Sequence, residues 1–320
     1  MSNPKSILIA VDGSSRSLDV LSTVASQCRR FETRVNLLHV LPMASDELVC
    51  RIDVNGELEL KRSIERKYHE FNRQCERLTQ DSMDRMKNML AEPGMTPKYI
   101  TGLPQMWRSR IARDILQQAR KGYDAVVVGP RGSRIKAILL GSVSAKVVHG
   151  SNKTPVWVVG SNSASREGAS KMLLAVDASA NSRKAVEYCA EFAAANDAEV
   201  TLCHVMRRLI PGTATPAMEL TEKKIEKQLH ERMNLKIDQM FETYRSVLVN
   251  AGVAPDKIAI VCRTGSYRRA AEILEIAKTG GFDTLVMGRR GISVVREFFM
   301  GRVTSKVLNG ADNLSVWIVP

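Results

Sequence analysis

Two glycine-rich segments with nearly the same spacing are the part of this 320-residue sequence best suited to binding a charged ligand. In each, a Gly-x-x-Gly turn follows a short apolar run, and a third glycine comes after eight or nine further residues, where a helical pattern starts. Glycine lets the backbone approach a ligand closely, so that successive N–H groups can converge on phosphate oxygens. The N-terminus of the following helix adds donors and a favourable dipole. The segments contain Gly129, Gly132, Gly141, Ser142 and Ser144 in the first copy, and Gly288, Gly291, Gly301, Arg302 and Thr304 in the second.

The repeated spacing predicts a phosphate site, although a plain turn between strand and helix would also use glycines. Two aspartates strengthen the interpretation. Asp12 and Asp177 each follow the first apolar run of a copy and precede one or two serines. Such a carboxylate could accept a hydrogen bond from an adenine amino group, or it could be a helix N-cap or turn residue. The sequence leaves both alternatives open.

Basic residues cluster around both glycine segments. They would bind a polyphosphate well, but an exposed loop could carry the same charges as a solvated surface. His39 and His204 lie inside the second apolar run of each copy, and because no second His or Cys stands at metal-ligand spacing, we predict packing histidines. The basic residues are Arg131, Arg134 and Lys136 in the first copy, and Arg289, Arg290 and Arg296 in the second.

The chain is an internal repeat. Residues 37–40 (Leu-Leu-His-Val) return at 202–205 (Leu-Cys-His-Val), and the segment around Asp12 returns around Asp177 at the same offset of 165. Between the copies, residues 161–170 are rich in Ser, Gly and Ala and have no apolar period, which is typical of a flexible linker. We therefore predict one domain over residues 1–160 and a second over residues 171–320.

Short apolar runs alternate with longer helical patterns in each copy. Their continuous apolarity indicates strands buried on both faces, as in a parallel sheet between helices. The predicted fold is α/β, with two tandem doubly wound domains, each an open parallel five-stranded sheet flanked by helices. The runs are centred near Ile9, Leu38, Tyr99, Val127 and Trp157, and then near Ala175, Cys203, Ile260, Val286 and Ile318.

Two long helices are predicted, over residues 61–90 and 222–249. A coiled coil or a partner-binding helix would fit their apolar stripes, but we favour packing against the sheet. The stripes are Ile64, Tyr68, Phe71, Cys75, Leu78 and Met86 in the first helix, and Ile225, Leu229, Met233, Met240 and Tyr244 in the second.

Composition limits the function classes. The formal net charge of +13 fits an anionic partner, and it equally fits a solvated basic surface. Six cysteines are scattered without any CxxC or Cys/His cluster, which predicts neither zinc nor a disulfide framework. No apolar run is long enough for a membrane span or a signal peptide, so we expect a cytoplasmic protein without membrane contact.

The Ala-Val-Asp start, the Gly-x-x-Gly turn with a third glycine, and the closing apolar strand together resemble the universal stress protein family, over essentially the whole chain. The resemblance implies an adenine-nucleotide α-hydrolase-like fold that binds ATP or a related adenine nucleotide, with or without Mg²⁺. It implies that Asp12 and the backbone of Val40 hold adenine and that Gly102 and Gly129 lie near ribose and phosphates. The residues implied to cradle the phosphates are Gly132, Gly141, Ser142 and Ser144. In the second copy these roles would fall to Asp177, Val205, Gly265, Gly288, Gly291, Gly301 and Thr304.

Each copy departs from the family pattern once. The first copy has a phosphate loop one residue short, from Ser133 to Leu140. The second copy has Arg302 where a small hydroxyl residue is expected, and this guanidinium could pair with phosphate or fill the site. The intact Gly141-Ser142 pair slightly favours the first copy as the better binder.

The expected function is that of a non-enzymatic, nucleotide-dependent stress sensor or regulator. No Walker A lysine follows a glycine loop, and no acidic pair for magnesium is evident. The alternatives are a tandem stress protein that acts through protein contacts without nucleotide, and a slow ATP hydrolase. An enzyme that cleaves at the α-phosphate would carry a Ser-Gly-Gly-x-Asp-Ser loop after the first strand, which residues 11–15 lack. The aromatic residues are too few for a stacking platform that binds nucleic acid.

Assembly is also implied by the resemblance, because family members often dimerise through the strand that closes the fold. The two closing segments here, residues 155–159 and 315–319, could pair within one chain. We therefore expect an intramolecular pseudo-dimer of the repeats, which could dimerise further, and a protein partner that the sequence does not identify.

Overall fold

The computed structural model describes residues 5–28, 30–41, 58–91, 99–106, 110–129, 140–160, 170–207, 216–292, 300–311 and 314–320. In the first half the elements are β1 (Lys5–Val11), α1 (Ser15–Cys28), β2 (Thr33–Leu41), α2 (Leu58–Ala91), β3 (Ile100–Met106), α3 (Ile111–Ala119), β4 (Ala125–Val128), α4 (Ser142–Gly150) and β5 (Val156–Val158). In the second half they are β6 (Lys171–Ala175), α5 (Ala180–Ala195), β7 (Glu199–Arg207), α6 (Pro216–Asn250), β8 (Ile258–Ser266), α7 (Arg269–Thr279), β9 (Thr284–Gly288), α8 (Arg302–Gly310) and β10 (Ser315–Val319), with a 3-10 turn at Pro255–Lys257.

The predicted fold class is confirmed in both halves. Within each half the five strands are parallel, in the order β3-β2-β1-β4-β5 and β8-β7-β6-β9-β10. All ten predicted strands are present, although β3 begins one residue after its predicted centre at Tyr99. The strand order reverses between β1 and β4, and between β6 and β9, and these reversals are where ligands bind in doubly wound sheets.

The two sheets join into one. Strand β5 pairs with β10 in the antiparallel direction, with Trp157 opposite Trp317, and this produces a ten-stranded sheet. The indole rings stack with centroids 4.0 Å apart, and Phe192 of α5 packs edge-on against both rings. Trp157 Nε1 donates to Tyr188 Oη over 3.0 Å. Since all of these rings are wholly or largely buried, the joint between the halves is an aromatic core.

Helices cover the sheet on both faces, because successive strand residues point to opposite sides. Ile7 and Ile9 pack under α1 and α2, and the residue between them, Leu8, packs under α3 and α4. The second half repeats the arrangement with α5 and α6 on one face and α7 and α8 on the other. This explains why the strands are continuously apolar.

One prediction for α2 was wrong. Met86 is buried, as expected, but the side chains of Phe71 and Leu78 are 53% and 60% exposed. The face on the core runs instead through residues 72, 79, 83, 86 and 90, because α2 is rotated relative to the predicted stripe. In α6 the prediction is confirmed for Met240 and Tyr244, which are buried, whereas the side chains of Ile225 and Leu229 lie outside the described residues.

Among the described residues, no helix combines the length and the apolarity that a bilayer crossing needs.

Candidate functional site

A cleft of about 460 Å³ opens at the strand-order reversal of the second half. It lies at the carboxyl ends of β6, β7 and β9, and the N-termini of α7 and α8 form its other wall. Its volume is within the usual range for small-molecule sites. Seven of the second-copy residues predicted from the sequence line it: Asp177, Val205, Gly288, Gly291, Gly301, Arg302 and Thr304.

Asp177 is fixed by hydrogen bonds from three segments. Its Oδ1 accepts from Ser179 N (3.0 Å) and Ser182 Oγ (2.8 Å). Its Oδ2 accepts from the backbone N–H of Ile292 (3.1 Å), in the glycine loop that begins after Gly288. Tyr244 Oη on α6 donates to the backbone oxygen of Asp177 over 2.8 Å. A carboxylate has about four acceptor positions, so one position on Oδ2 remains for a ligand amino group.

The glycines of the second cleft are constrained by close packing. A Cβ on Gly291 would lie 2.3 Å from Asp177 Oδ2, and one on Gly288 would lie 2.8 Å from the carbonyl carbon of Asn181. The Gly301 N–H donates to Arg289 O over 3.0 Å, which closes the loop onto the start of α8. A side chain at Gly288 would therefore crowd the Asn181 backbone, and one at Gly291 would displace the Asp177 carboxylate.

Four arginines line the second cleft: Arg207, Arg269, Arg290 and Arg302. The sequence predicts Arg290 and Arg302 near the ligand, but it gives no sign of Arg207 and Arg269, which lie outside the glycine segments. A guanidinium forms strong, geometrically defined pairs with phosphate oxygens. The cleft thus combines an acceptor at one end with a concentration of positive charge.

Arg289 does not line the cleft, so the expectation that it serves a polyphosphate there is wrong. Its side chain is buried between the two halves, where the guanidinium donates to the backbone oxygens of Val148, His149 and Ser151 at the C-terminus of α4. Burial lowers the pKa of Arg289, and the nearby Arg290 lowers it further. A positive charge at a helix C-terminus is favourable, so Arg289 caps α4 across the joint.

A second cleft of about 340 Å³ occupies the equivalent place in the first half. Asp12, Val40, Gly129, Gly141, Ser142 and Ser144 line it, as the sequence predicts. Among the described lining residues, Asp12 is the one charged side chain. Gly132 and the neighbouring Arg131, Arg134 and Lys136 lie outside the described residues, as does Arg296 in the second half.

Asp12 is held by its own turn. Its Oδ1 accepts from Ser14 N (3.0 Å) and Ser17 Oγ (2.9 Å). Partial burial by itself would raise the pKa of Asp12, but the hydrogen bonds from Ser14 and Ser17 outweigh it and lower the pKa below the usual value. The carboxylate is therefore kept ionised, as an acceptor requires.

The hydroxyls of Ser144 and Thr304 are used for structure. Ser144 Oγ donates to Gly129 O over 2.5 Å, and Thr304 Oγ1 donates to Gly288 O over 3.2 Å. A hydroxyl has one proton to donate. In this arrangement both residues tie the helix start to the end of the preceding strand, and the backbone N–H groups of α4 and α8 remain as the donors that face each cleft.

Two predicted glycines lie in strands. Gly102 is inside β3, where a Cβ would meet Met83 and Lys87 of α2, and it is not among the residues lining the first cleft. The expected position near ribose is corrected for Gly102, because this residue pairs with Leu37 inside the sheet and does not lie at the carboxyl end of β3. Gly265 is the residue before the last of β8.

The histidines have the packing positions that we predicted. His204 Nδ1 bonds with Val176 O over 2.7 Å, and the ring forms part of the wall of the second cleft. Burial lowers the pKa of His39, with partial compensation from Asp12. The described residues contain no group of three potential metal ligands.

The fold and its two clefts define a tandem doubly wound α/β protein with a ligand-sized cleft at each strand-order reversal. The sequence profile of the universal stress protein family matches residues 3–160 and again residues 168–320. The chain belongs to the universal stress protein family, in a tandem two-domain form.

Known relatives agree with this assignment. The universal stress protein YxiE of Bacillus subtilis is 32% identical over 141 residues, which cover 43% of this chain and 90% of YxiE. A universal stress protein structure from Archaeoglobus fulgidus covers 98% of this chain and 95% of its own at 18% identity, with a TM-score of 0.57. A structure from Pseudomonas aeruginosa, described as a possible universal stress protein, covers 98% of this chain and 92% of its own at 12% identity, with a TM-score of 0.61. At these identities the structural likeness concerns the fold alone.

Proposed function

We propose that this protein binds ATP or a related adenine nucleotide in the cleft of the second half and acts as a non-enzymatic, nucleotide-dependent regulator. One observation carries the proposal: Asp177 and four arginines converge on one cleft whose floor is the glycine loop at a strand-order reversal. Adenine would lie at the Asp177 and Val205 end, and phosphates would lie against the arginines and the N-terminus of α8.

The proposal reverses the slight preference for the first copy. Arg302 lines an open cleft and does not fill it. In the first half the equivalent position is Ser142, and the described lining offers only the negative Asp12 as a charge. Positive charge in a cleft raises the local concentration of anionic ligands, so the second half should bind phosphate groups more tightly.

A regulatory role needs a path from the nucleotide to the rest of the protein. The glycine loop that forms the cleft begins at Arg289, whose side chain caps α4 of the first half. Binding that moves this loop would therefore reach the joint between the halves. We propose that the paired β5 and β10 make the chain an intramolecular pseudo-dimer in solution, and that it works in the cytoplasm with a protein partner still to be identified.

The test is isothermal titration calorimetry with ATP, ADP and AMP, together with chromatography and mass spectrometry of nucleotide released from freshly denatured protein. Arg302→Glu in the second cleft is compared with Ser142→Glu at the equivalent position of the first cleft. Both replaced side chains are exposed, so neither change should affect folding.

We expect one nucleotide per chain, with binding lost in Arg302→Glu and kept in Ser142→Glu. The opposite pattern would place the nucleotide in the first half. An unmodified protein that neither releases nor binds nucleotide would disprove the proposal and favour a function through protein contacts alone. Phosphate release well above that of a buffer control would contradict the non-enzymatic part.

A further inference from the structure

The four arginines that line the second cleft stand in two pairs. Arg290 and Arg302 belong to the loop after β9 and to the start of α8, and we call them the glycine-loop pair. The proposed function puts the 5′-phosphate chain of the nucleotide against this pair. Arg207 and Arg269 come from β7 and α7, and we call them the β7 pair. The β7 pair lines the same cleft from another side and still needs a ligand group.

The end of β8 brings the β7 pair together. Arg207 is the last residue of β7 and pairs with Ser266, the last residue of β8. Ser266 Oγ accepts a hydrogen bond from Arg268 N over 3.0 Å, and α7 begins at the next residue, Arg269. No side chain caps the N-terminus of α7 by a hydrogen bond. Two guanidinium groups beside an uncapped helix start within a cleft are well suited to an anionic group.

The strand order separates the two pairs. Strand β6 lies between β9 and β7, so the ends of β9 and β7 are about 10 Å apart, which is twice the spacing of neighbouring strands. Asp177 follows β6, and it is the one acidic side chain among the described residues that line the cleft. A single phosphate chain that ran from one pair to the other would have to pass this carboxylate, which repels it. Two separate anionic groups, one at each pair, avoid that repulsion.

Resting on the proposed function, we propose that the preferred ligand of the second cleft is an adenine nucleotide with a further phosphate on the 2′ or 3′ oxygen of its ribose. The base lies at the Asp177 end, and the 5′ chain lies against the glycine-loop pair. The 2′ and 3′ oxygens are then the positions of the ribose that remain for a second anionic group. A phosphate there would bind Arg207 and Arg269, whose planar guanidinium groups match phosphate oxygens in pairs.

The β7 pair has no equivalent in the first half. In the sequence repeat, Pro42 stands at the position of Arg207, and Ile111 stands at the position of Arg269. Neither residue can donate a side-chain hydrogen bond to phosphate. The preference for a second phosphate on the ribose is therefore a property of the second half.

The experiment is isothermal titration calorimetry on the full chain with adenosine 3′,5′-bisphosphate, adenosine 2′,5′-bisphosphate, ADP and AMP. ADP is the matched ligand, because it carries as many phosphates as the bisphosphates but has them in a single 5′ chain. Arg207→Gln removes a guanidinium from the β7 pair, and Arg302→Gln removes one from the glycine-loop pair. Arg263→Gln is the control, since Arg263 on β8 is exposed and is not among the lining residues. All three positions are exposed, and circular dichroism checks that each variant is folded.

We expect one of the two bisphosphates to bind about tenfold more tightly than ADP, which corresponds to one additional charged hydrogen bond. Arg207→Gln should abolish this preference. Arg302→Gln should weaken the binding of ADP and of the bisphosphate by similar factors, and Arg263→Gln should change neither.

Bisphosphates that bind no more tightly than ADP would overturn the inference and leave the proposed function standing. An Arg207→Gln variant that weakens ADP and the bisphosphate equally would also overturn it, because both pairs would then hold one 5′ chain. A protein that binds none of the four nucleotides would disprove the proposed function, and the inference with it.

Discussion

The cleft of the second half carries four arginines, whereas the described lining of the first-half cleft has Asp12 as its charged residue, although both clefts stand on the same strand order. Two pairs of equivalent positions show how they differ. Arg269 stands where the first half has Ile111, and Arg302 stands where it has Ser142. At these two positions the frame that forms a cleft is therefore the same in both copies, whereas the charge that lines it differs.

The largest effect should come from exchanging these positions. The double variant Arg269→Ile/Arg302→Ser gives the second cleft the residues of the first cleft at these two positions. It should weaken ATP binding about 100-fold, since each charged hydrogen-bonding group contributes about 1.5 kcal/mol or more. Calorimetry measures the dissociation constant for ATP. The reciprocal variant, Ile111→Arg/Ser142→Arg, places arginines at the same two positions of the first cleft. If the exchange left ATP affinity unchanged, the arginines would not be what distinguishes the clefts.

The joint should show the next largest effect. Arg289 caps α4, and its counterpart in the repeat is Pro130, which has no side-chain donor. Arg289→Met should lower the free energy of unfolding by about 2–3 kcal/mol, because three backbone oxygens lose a charged donor. Urea unfolding measures the loss, and hydrogen exchange should increase at Ser151, whose N–H bonds to Val147 O. Equal losses in Arg289→Met and the exposed control Arg302→Met would show that the cap contributes nothing.

The glycines that end β4 and β9 should respond differently to alanine. A Cβ on Gly288 would lie 2.8 Å from the Asn181 backbone, whereas one on Gly129 has its nearest neighbour at 3.6 Å, on Val20. Gly288→Ala should cost about 1–3 kcal/mol through overpacking, and Gly129→Ala should be nearly neutral. Thermal unfolding of the two variants compares them directly, and similar Tm losses would refute the difference.

The smallest effect concerns Asp12. Its pKa is lowered in the folded protein, so its contribution to stability is complete above the unfolded pKa near 3.8 and is lost as the pH falls through the lower folded value. An NMR titration of the Asp12 carboxyl should give a midpoint below 3.8. Ser17→Ala removes one donor and should raise that midpoint. A midpoint that does not move would mean that Ser17 does not stabilise the carboxylate.

Sequence reasoning succeeded where the signal is local. The continuous apolar strands, the Gly-x-x-Gly turns and the two aspartates each depend on residues close together in the chain, and the structure brings them to the same end of the sheet. It failed for Gly102, because β3 begins after its predicted centre at Tyr99, and this places the glycine inside the strand and not at its end. It failed for Arg289 for a different reason, since a basic residue beside a phosphate loop gives no indication that its side chain turns towards α4.

The sequence by itself determined the tandem repeat, the parallel strands, the family, and the aspartate and helix-start residues of each cleft. The tertiary structure decided which arginines enter the second cleft, because Arg207 and Arg269 reach it only after β7, β9 and α7 have packed. It also decided that the two sheets join at Trp157 and Trp317, and that α2 turns Asn72, Thr79 and Met83 to the core and leaves Phe71 exposed. Periodicity fixes which residues can share a face, but the direction of that face depends on contacts between segments that are distant in the chain.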